Sequence, residues 1–257
     1  MNKVTSVDGT TIAFDRAGSG PAIVFVVGAF NDRSTCAPLA DALASDHTVI
    51  TYDRRGRGDS GDTRPYAIER EIEDLDALIA EAGESAAVFG YSSGAILALR
   101  AAERGSAITR LALYEPPADL DGRAARPAGI VDRLAALVAE GRRGDAVQLF
   151  QRELIGMPEQ VLAQIRQAPF FGALEEFAQS VVYDATIVVE GVTRAGLSNV
   201  DTATLVISGS ASFLDLPEAA RVVAEALPNG RHHSLDGQTH DIVTEVVAPV
   251  VRGFLAE

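Results

Sequence analysis

Ser92 stands in the pentapeptide Gly90-Tyr91-Ser92-Ser93-Gly94, and His240 lies in "DGQTHDIV" near the other end of the chain. A serine hydroxyl is a weak nucleophile until a neighbouring base takes its proton, and an imidazole is the commonest such base. The two residue types together point to acyl transfer, provided the fold brings them to one place. A carboxylate on the far ring nitrogen would complete the set, because it fixes the tautomer and stabilises the imidazolium. The backbone N–H groups of Ala29 and Ser93 are the candidates for an oxyanion hole, in which each preorganised donor typically contributes a factor of about 10² to 10³ in rate.

The elements that would have to position these groups are legible. "AAVF" reads as a buried strand, and "AILALRAAERG" reads as a helix closing at Gly105. Gly90 to Gly94 is therefore a strand-to-helix turn of the form G-x-S-x-G. In that setting the small end residues let strand and helix approach closely, while a strained backbone at Ser92 holds its hydroxyl out at the top of a sheet. Among the histidines, His47 precedes a strand, and His232 and His233 lie on or beside the last strand, "RHHSL". His240 follows that strand in a loop. Active sites in open parallel sheets gather at the carboxyl ends of strands, so His240 has the right address.

Further strands are expected at "TIAFDR", "AIVFVVG", "TVITYD", "LALYE" and "TLVISG". Most are short continuous apolar runs of the kind buried on both faces. Helical patterns lie between them: Ile68, Ile72, Leu75 and Ile79 share one face, as do Val243, Val246, Val247, Val250 and Phe254. Buried strands alternating with amphipathic helices predict an α/β fold with a doubly wound, mostly parallel sheet. The rhythm breaks over residues 119–200, where helical stretches such as "IVDRLAALVAEG" and "PEQVLAQIRQ" occur without a strand. This segment is expected to be a helical lid inserted into a core formed by residues 1–118 and 201–257. Phe150, Phe170, Phe171 and Phe177 would form the lid's own small core.

Bulk properties narrow the function classes. The chain has 257 residues, 47% of them hydrophobic and 23% charged, a balance that supports one sizeable core. A formal net charge of -14 argues against nucleic acid and against anionic membrane surfaces as partners. The one cysteine, Cys36, forms no intrachain disulfide and is expected to pack as a small hydrophobe. The first residues carry no apolar leader segment and no run is long enough to span a bilayer, so the expectation is a cytoplasmic protein, monomer or homodimer, acting on a small-molecule substrate. No His/Asp/Glu cluster has metal-ligand spacing. Gly56, Gly58 and Gly61 spell the G-x-G-x-x-G of a dinucleotide site, but "DTRPY" follows where a helix should open, so no cofactor is expected. By composition, the "RGD" inside that segment reads as a solvated turn.

Taken together, these motifs resemble the α/β-hydrolase family along nearly the whole chain. "VVGAF" keeps Gly28 of the family's His-Gly pair, with Val27 where the histidine often stands, and places Ala29 at the oxyanion position. "YDRRGRGDS" is similar to the D-x-R-G-x-G-x-S turn of its esterase, haloperoxidase and epoxide-hydrolase branches, a segment that is usually structural. The family's catalytic histidine also follows the last strand, as His240 does. Its usual aspartate lies three residues beyond the glycine that ends the seventh strand, where this chain has Ser212. Glu115 is one substitute, at the end of the sixth strand where Pro116 and Pro117 stop it; haloalkane dehalogenases carry their acid after this strand. Asp215 is the other, if its loop bends back, and the absence of any acid is a third reading. The resemblance implies a serine hydrolase of carboxylic esters or lactones, without metal or cofactor. Alternatives are a perhydrolase or haloperoxidase-like enzyme, or a non-hydrolytic relative acting as a small-molecule binder, lyase or cyclase.

Overall fold

A computed structural model describes residues 1–122, 127–213 and 215–257. Among the described residues eight strands form one sheet: β1 (Asn2–Thr5), β2 (Thr11–Gly18), β3 (Ala22–Val26), β4 (Thr48–Tyr52), β5 (Ala86–Tyr91), β6 (Ile108–Tyr114), β7 (Thr204–Gly209) and β8 (Gly230–Leu235). Their spatial order is β1-β2-β4-β3-β5-β6-β7-β8. β2 pairs antiparallel with both β1 and β4, and all the other pairs are parallel. The mostly parallel, doubly wound sheet is thus present. β1 had no apolar run to announce it, since Asn2–Thr5 is short and largely exposed.

Both sheet faces are covered, which is why the central strands are apolar almost without interruption. Ile23, Phe25, Phe89, Tyr114 and Ile207 face α1 (Ala37–Leu43) and α11 (Thr244–Leu255). Val24, Val26, Val88, Leu113 and Val206 face α2 (Ile68–Gly83), α3 (Ser93–Glu103) and α10 (Leu216–Ala226). The predicted α2 stripe is buried, with Leu78 added to it. The α11 stripe is displaced: Val247, Ala248, Val251 and Phe254 are buried, whereas Val243 is the exposed N-cap. Cys36 packs in the α1 face of the core.

Between β6 and β7 the described chain forms α4 (Ile130–Ala139), α5 (Arg143–Glu153), α6 (Glu159–Gln167), α7 (Phe171–Glu176), α8 (Ala178–Glu190) and α9 (Arg194–Leu197). Phe150 and Phe171 are buried among these helices and Phe177 packs against them. Phe170, at the N-cap of α7, is instead 56% exposed, because its side chain falls outside the packed face. α8 also joins the main core: Ile187 packs with the β-sheet residues.

The turn after β4 departs most from its sequence reading. Arg57 of the "RGD" is buried rather than solvated, although Gly58 and Asp59 are exposed, and Arg54 and Arg55 are buried beside it. Arg54 makes a bidentate pair with Glu71 of α2 at 2.7 Å for both bonds. Arg57 donates through Nη2 to both carboxylate oxygens of Asp184, from α8, at 2.9 and 2.7 Å. Two cations meet two anions with bidentate geometry, which is what lets them stay charged away from water. Burial works against ionising Asp184, yet the guanidinium groups of Arg57 and Arg54 hold its carboxyl below the usual carboxylate range. In the same turn Asp53 accepts the N–H groups of Arg33 and Asp59, each at 2.9 Å. The carboxylate of Asp53 thus fills the G-x-G-x-x-G loop from within, and a Cβ at Gly58 would come 2.2 Å from it.

Candidate active site

The strand order reverses around β3, since β4 lies on one side of it and β5 on the other. A crevice opens at the carboxyl ends of strands at such a reversal. The loop after β3 and the turn after β5 flank it, carrying Ala29 and Ser92.

Ser92 follows β5 with φ 55° and ψ -124°, the positive-φ backbone expected of the turn. The glycines around it are set by contact distance. A Cβ on Gly90 would lie 2.7 Å from Ala95 Cα, one on Gly94 would lie 2.2 Å from Val26 O, and one on Gly28 would lie 2.8 Å from Ser92 Cβ. The Ser92 N–H donates to Tyr114 O at 2.9 Å and so ties the turn to the end of β6.

Register places the Glu115 carboxylate. Tyr91, Tyr114 and Ile207 stand side by side on β5, β6 and β7. Ser92 and Glu115 are each one residue past that row. Glu115 also has a positive φ, 48°, and its N–H donates to Ile207 O at 2.9 Å. Its side chain is wholly buried, yet every contact suits a carboxylate. Oε1 accepts the Gly209 N–H at 2.8 Å, and Oε2 accepts the Ser212 hydroxyl at 2.8 Å. His240 Nδ1 stands 2.6 Å from the same Oε2. Ser212, at the position where an aspartate was missing from the sequence pattern, therefore donates to the carboxylate that arrives from the neighbouring strand. Asp215 is exposed at the N-cap of α10, away from this cluster.

The His240 loop is held by β6 and β7. Tyr114 donates its hydroxyl to Thr239 O at 2.7 Å. Gly209 passes so close to the loop that a Cβ would lie 2.2 Å from Gln238 O. The imidazole lies between two rings, Tyr91 at 4.9 Å and Phe213 at 5.3 Å between centroids. Burial pushes the phenols of Tyr91 and Tyr114 above their usual range, so both remain neutral hydrogen-bonding groups. Neither the Tyr114 anchor nor the Phe213 ring was visible in the sequence pattern, since both needed knowledge of which loops meet.

Ala29, Ser92, Ser93 and His240 line one cavity of about 430 Å³. Its remaining wall is mainly apolar, with Phe150, Leu154, Ile155, Met157 and Val188 contributed by the segment between β6 and β7. Among the described residues no acceptor takes the N–H of Ala29 or of Ser93. A groove of about 500 Å³ between α4 and α5 is lined by Arg133, Glu140, Arg142 and Asp145 and holds no comparable reactive set. No group of three or more His, Cys, Asp or Glu side chains among the described residues is arranged to ligate a metal, and no described helix is long and apolar enough to cross a membrane.

The chain belongs to the alpha/beta hydrolase family, whose model matches residues 23–251. An alpha/beta hydrolase from Sphaerobacter thermophilus is 48% identical, with a TM-score of 0.92 over 99% of this chain and 100% of that one. The enol-lactonase from Burkholderia xenovorans is 26% identical, with a TM-score of 0.74 over 99% and 100%. N-formylmaleamate deformylase from Pseudomonas putida is 32% identical over 140 residues, 52% of each chain. The curated relatives are matched over part of their length, 38% for the uncharacterized hydrolase YraK of Bacillus subtilis and about half for the deformylase.

Proposed function

We propose that this protein is a serine hydrolase that cleaves a carboxylic ester or lactone of a small-to-medium apolar substrate through an acyl-enzyme. The observation that carries the reading is the 2.6 Å contact between His240 Nδ1 and the buried Glu115 carboxylate, at the mouth of the cavity that Ser92 also lines. With Nδ1 engaged, Nε2 is the nitrogen left to accept the Ser92 proton. Ser92 Oγ attacks the carbonyl carbon, and the carbonyl electron pair moves to oxygen beside the Ala29 and Ser93 N–H groups. His240 then returns the proton to the leaving alcohol, and water releases the acyl group by the same steps. Glu115 holds the imidazole in the required tautomer and offsets its positive charge.

Helices α4 to α9 serve as the lid, and the apolar side chains they place on the cavity wall favour an apolar acyl or alcohol group. The family membership and the lactonase and deformylase among the similar proteins support acyl cleavage as the reaction class. A fluorophosphonate probe with a p-nitrophenyl butyrate assay tests the reading. Wild-type protein is expected to label and hydrolyse, and Ser92→Ala to do neither. Labelling that survives in Ser92→Ala, or a folded wild type that neither labels nor turns over, overturns it.

A further inference from the structure

Arg57 has five guanidinium donors. Nη1 donates to Gly28 O, and to Asn31 O at 2.9 Å, while Nη2 holds the Asp184 carboxylate. Nε is buried with no acceptor among the described residues. Asp184 Oδ1 in turn accepts the Ser93 hydroxyl at 2.7 Å and Arg54 Nη1 at 2.8 Å, and that same Arg54 nitrogen reaches Val27 O at 3.1 Å. Arg57, Asp184 and Ser93 are all buried. One ion pair therefore grips both segments whose free N–H groups border the cavity: the loop after β3 through its carbonyls, and the first residue of α3 through its side chain.

Peptide geometry makes this grip directional. In a trans peptide the C=O and the following N–H point opposite ways in one plane. The Gly28–Ala29 bond is trans, since Arg64–Pro65 is the cis bond among the described residues. A donor fixed on Gly28 O therefore fixes the direction of the Ala29 N–H. A cation on that oxygen also polarises the amide and makes its N–H a stronger donor.

We propose that Asp184 and Arg57 are positioning residues for the oxyanion hole, and that through them α8 sets the orientation of the Ala29 and Ser93 amides. The inference rests on the Ser92 reading above. Neither residue touches the substrate. Arg57 acts through the Gly28–Ala29 peptide, and Asp184 acts by holding the hydroxyl of Ser93, whose amide faces the reacting oxygen.

The test compares wild type with Asp184→Asn and Ser93→Ala. Turnover of p-nitrophenyl butyrate is measured per active site titrated with fluorophosphonate. Inhibition by an aryl trifluoromethyl ketone is measured beside it. That ketone forms a hemiketal: the Ser92 oxygen bonds to the carbonyl carbon, the carbonyl pair moves to oxygen, and the hydroxyl proton passes to His240. Asp184→Asn should lower kcat about tenfold or more and Ser93→Ala about three- to tenfold, with KM within about twofold. The ketone inhibition constant should rise in step with the loss of kcat/KM. A merely structural ion pair would lower the melting temperature but leave turnover per titrated site and ketone affinity unchanged. Ser93→Ala keeps every charge in place, so it decides the matter if Asp184→Asn does not fold. Folded Ser93→Ala with wild-type kcat and ketone affinity overturns the proposal while leaving the Ser92 reading intact. A wild type without esterase activity or labelling overturns both.

Discussion

Replacing Glu115 by Gln keeps the size of the side chain and removes one buried charge. The amide oxygen can still accept the Gly209 N–H, and the Ser212 hydroxyl can turn to accept from the new NH₂. His240 has no such remedy. An NH₂ at the Oε2 position faces a ring N–H 2.6 Å away, so the imidazole must place its proton on Nε2. In that tautomer it cannot take the Ser92 proton. The lost charge adds a second penalty: at a charge separation of about 4 Å and an effective dielectric constant near 20, the imidazolium loses about 4 kcal/mol of stabilisation. That is about a 10³-fold fall in kcat, and the wrong tautomer carries the loss toward about 10⁴. Initial rates on p-nitrophenyl butyrate, with circular dichroism to verify folding, measure it. Asp215→Asn, altering an exposed residue at a helix N-cap, is expected to keep wild-type kcat. Glu115→Gln within threefold of wild type, or Asp215→Asn with the larger loss, would refute the assignment of the acid.

Three further outcomes follow from local geometry. Burial pushes the Cys36 thiol up to about 12, so the native protein should resist DTNB at pH 8 and release one thiol equivalent only on denaturation. Gly94→Ala would place a Cβ 2.2 Å from Val26 O, backbone that cannot step aside; differential scanning calorimetry should show a lower melting temperature, with esterase activity falling as Ser92 shifts. Burial would raise the Asp8 carboxyl, but hydrogen bonds from Arg55 and Thr10 bring it down to about 2 from a value of 3.8. The unfolded chain then takes up that proton first. The Asp8 contribution to stability is therefore complete above about pH 4 and drains away toward pH 2. Urea midpoints across that range should fall less steeply in Asp8→Asn.

The central sheet and its carboxyl edge were readable because parallel strands buried on both faces leave runs such as "AIVFVVG" and "TLVISG". Ser92 and His240 could be nominated because turn chemistry and position after the last strand are local properties. Glu115 could be named, and preferred to Asp215, from the strand end it occupies, but the sequence alone left Asp215 and the absence of any acid open. Choosing between them depends on register, which sets Tyr114 beside Ile207 and brings Gly209 and Ser212 onto one carboxylate. Arg57 misled because exposure is the ordinary fate of an arginine, and its partner Asp184 lies 127 residues away. A hint was present: Asp184 is the lone acid in the apolar run "SVVYDATIVV". The α11 stripe misled by including Val243, which precedes the first turn of the helix it was assigned to.

The carboxylate on β6 has a consequence for how this scaffold can vary. Ser92 and Glu115 sit at the tips of two adjacent interior strands, joined directly by the Ser92 amide and the Tyr114 carbonyl. On the proposed reading no charge is needed from this corner, and Phe213, on the cavity wall with its ring against the imidazole, becomes a replaceable rim. Ring size or polarity at that rim can change without redrawing the proton path. New selectivity is therefore accessible one side chain at a time.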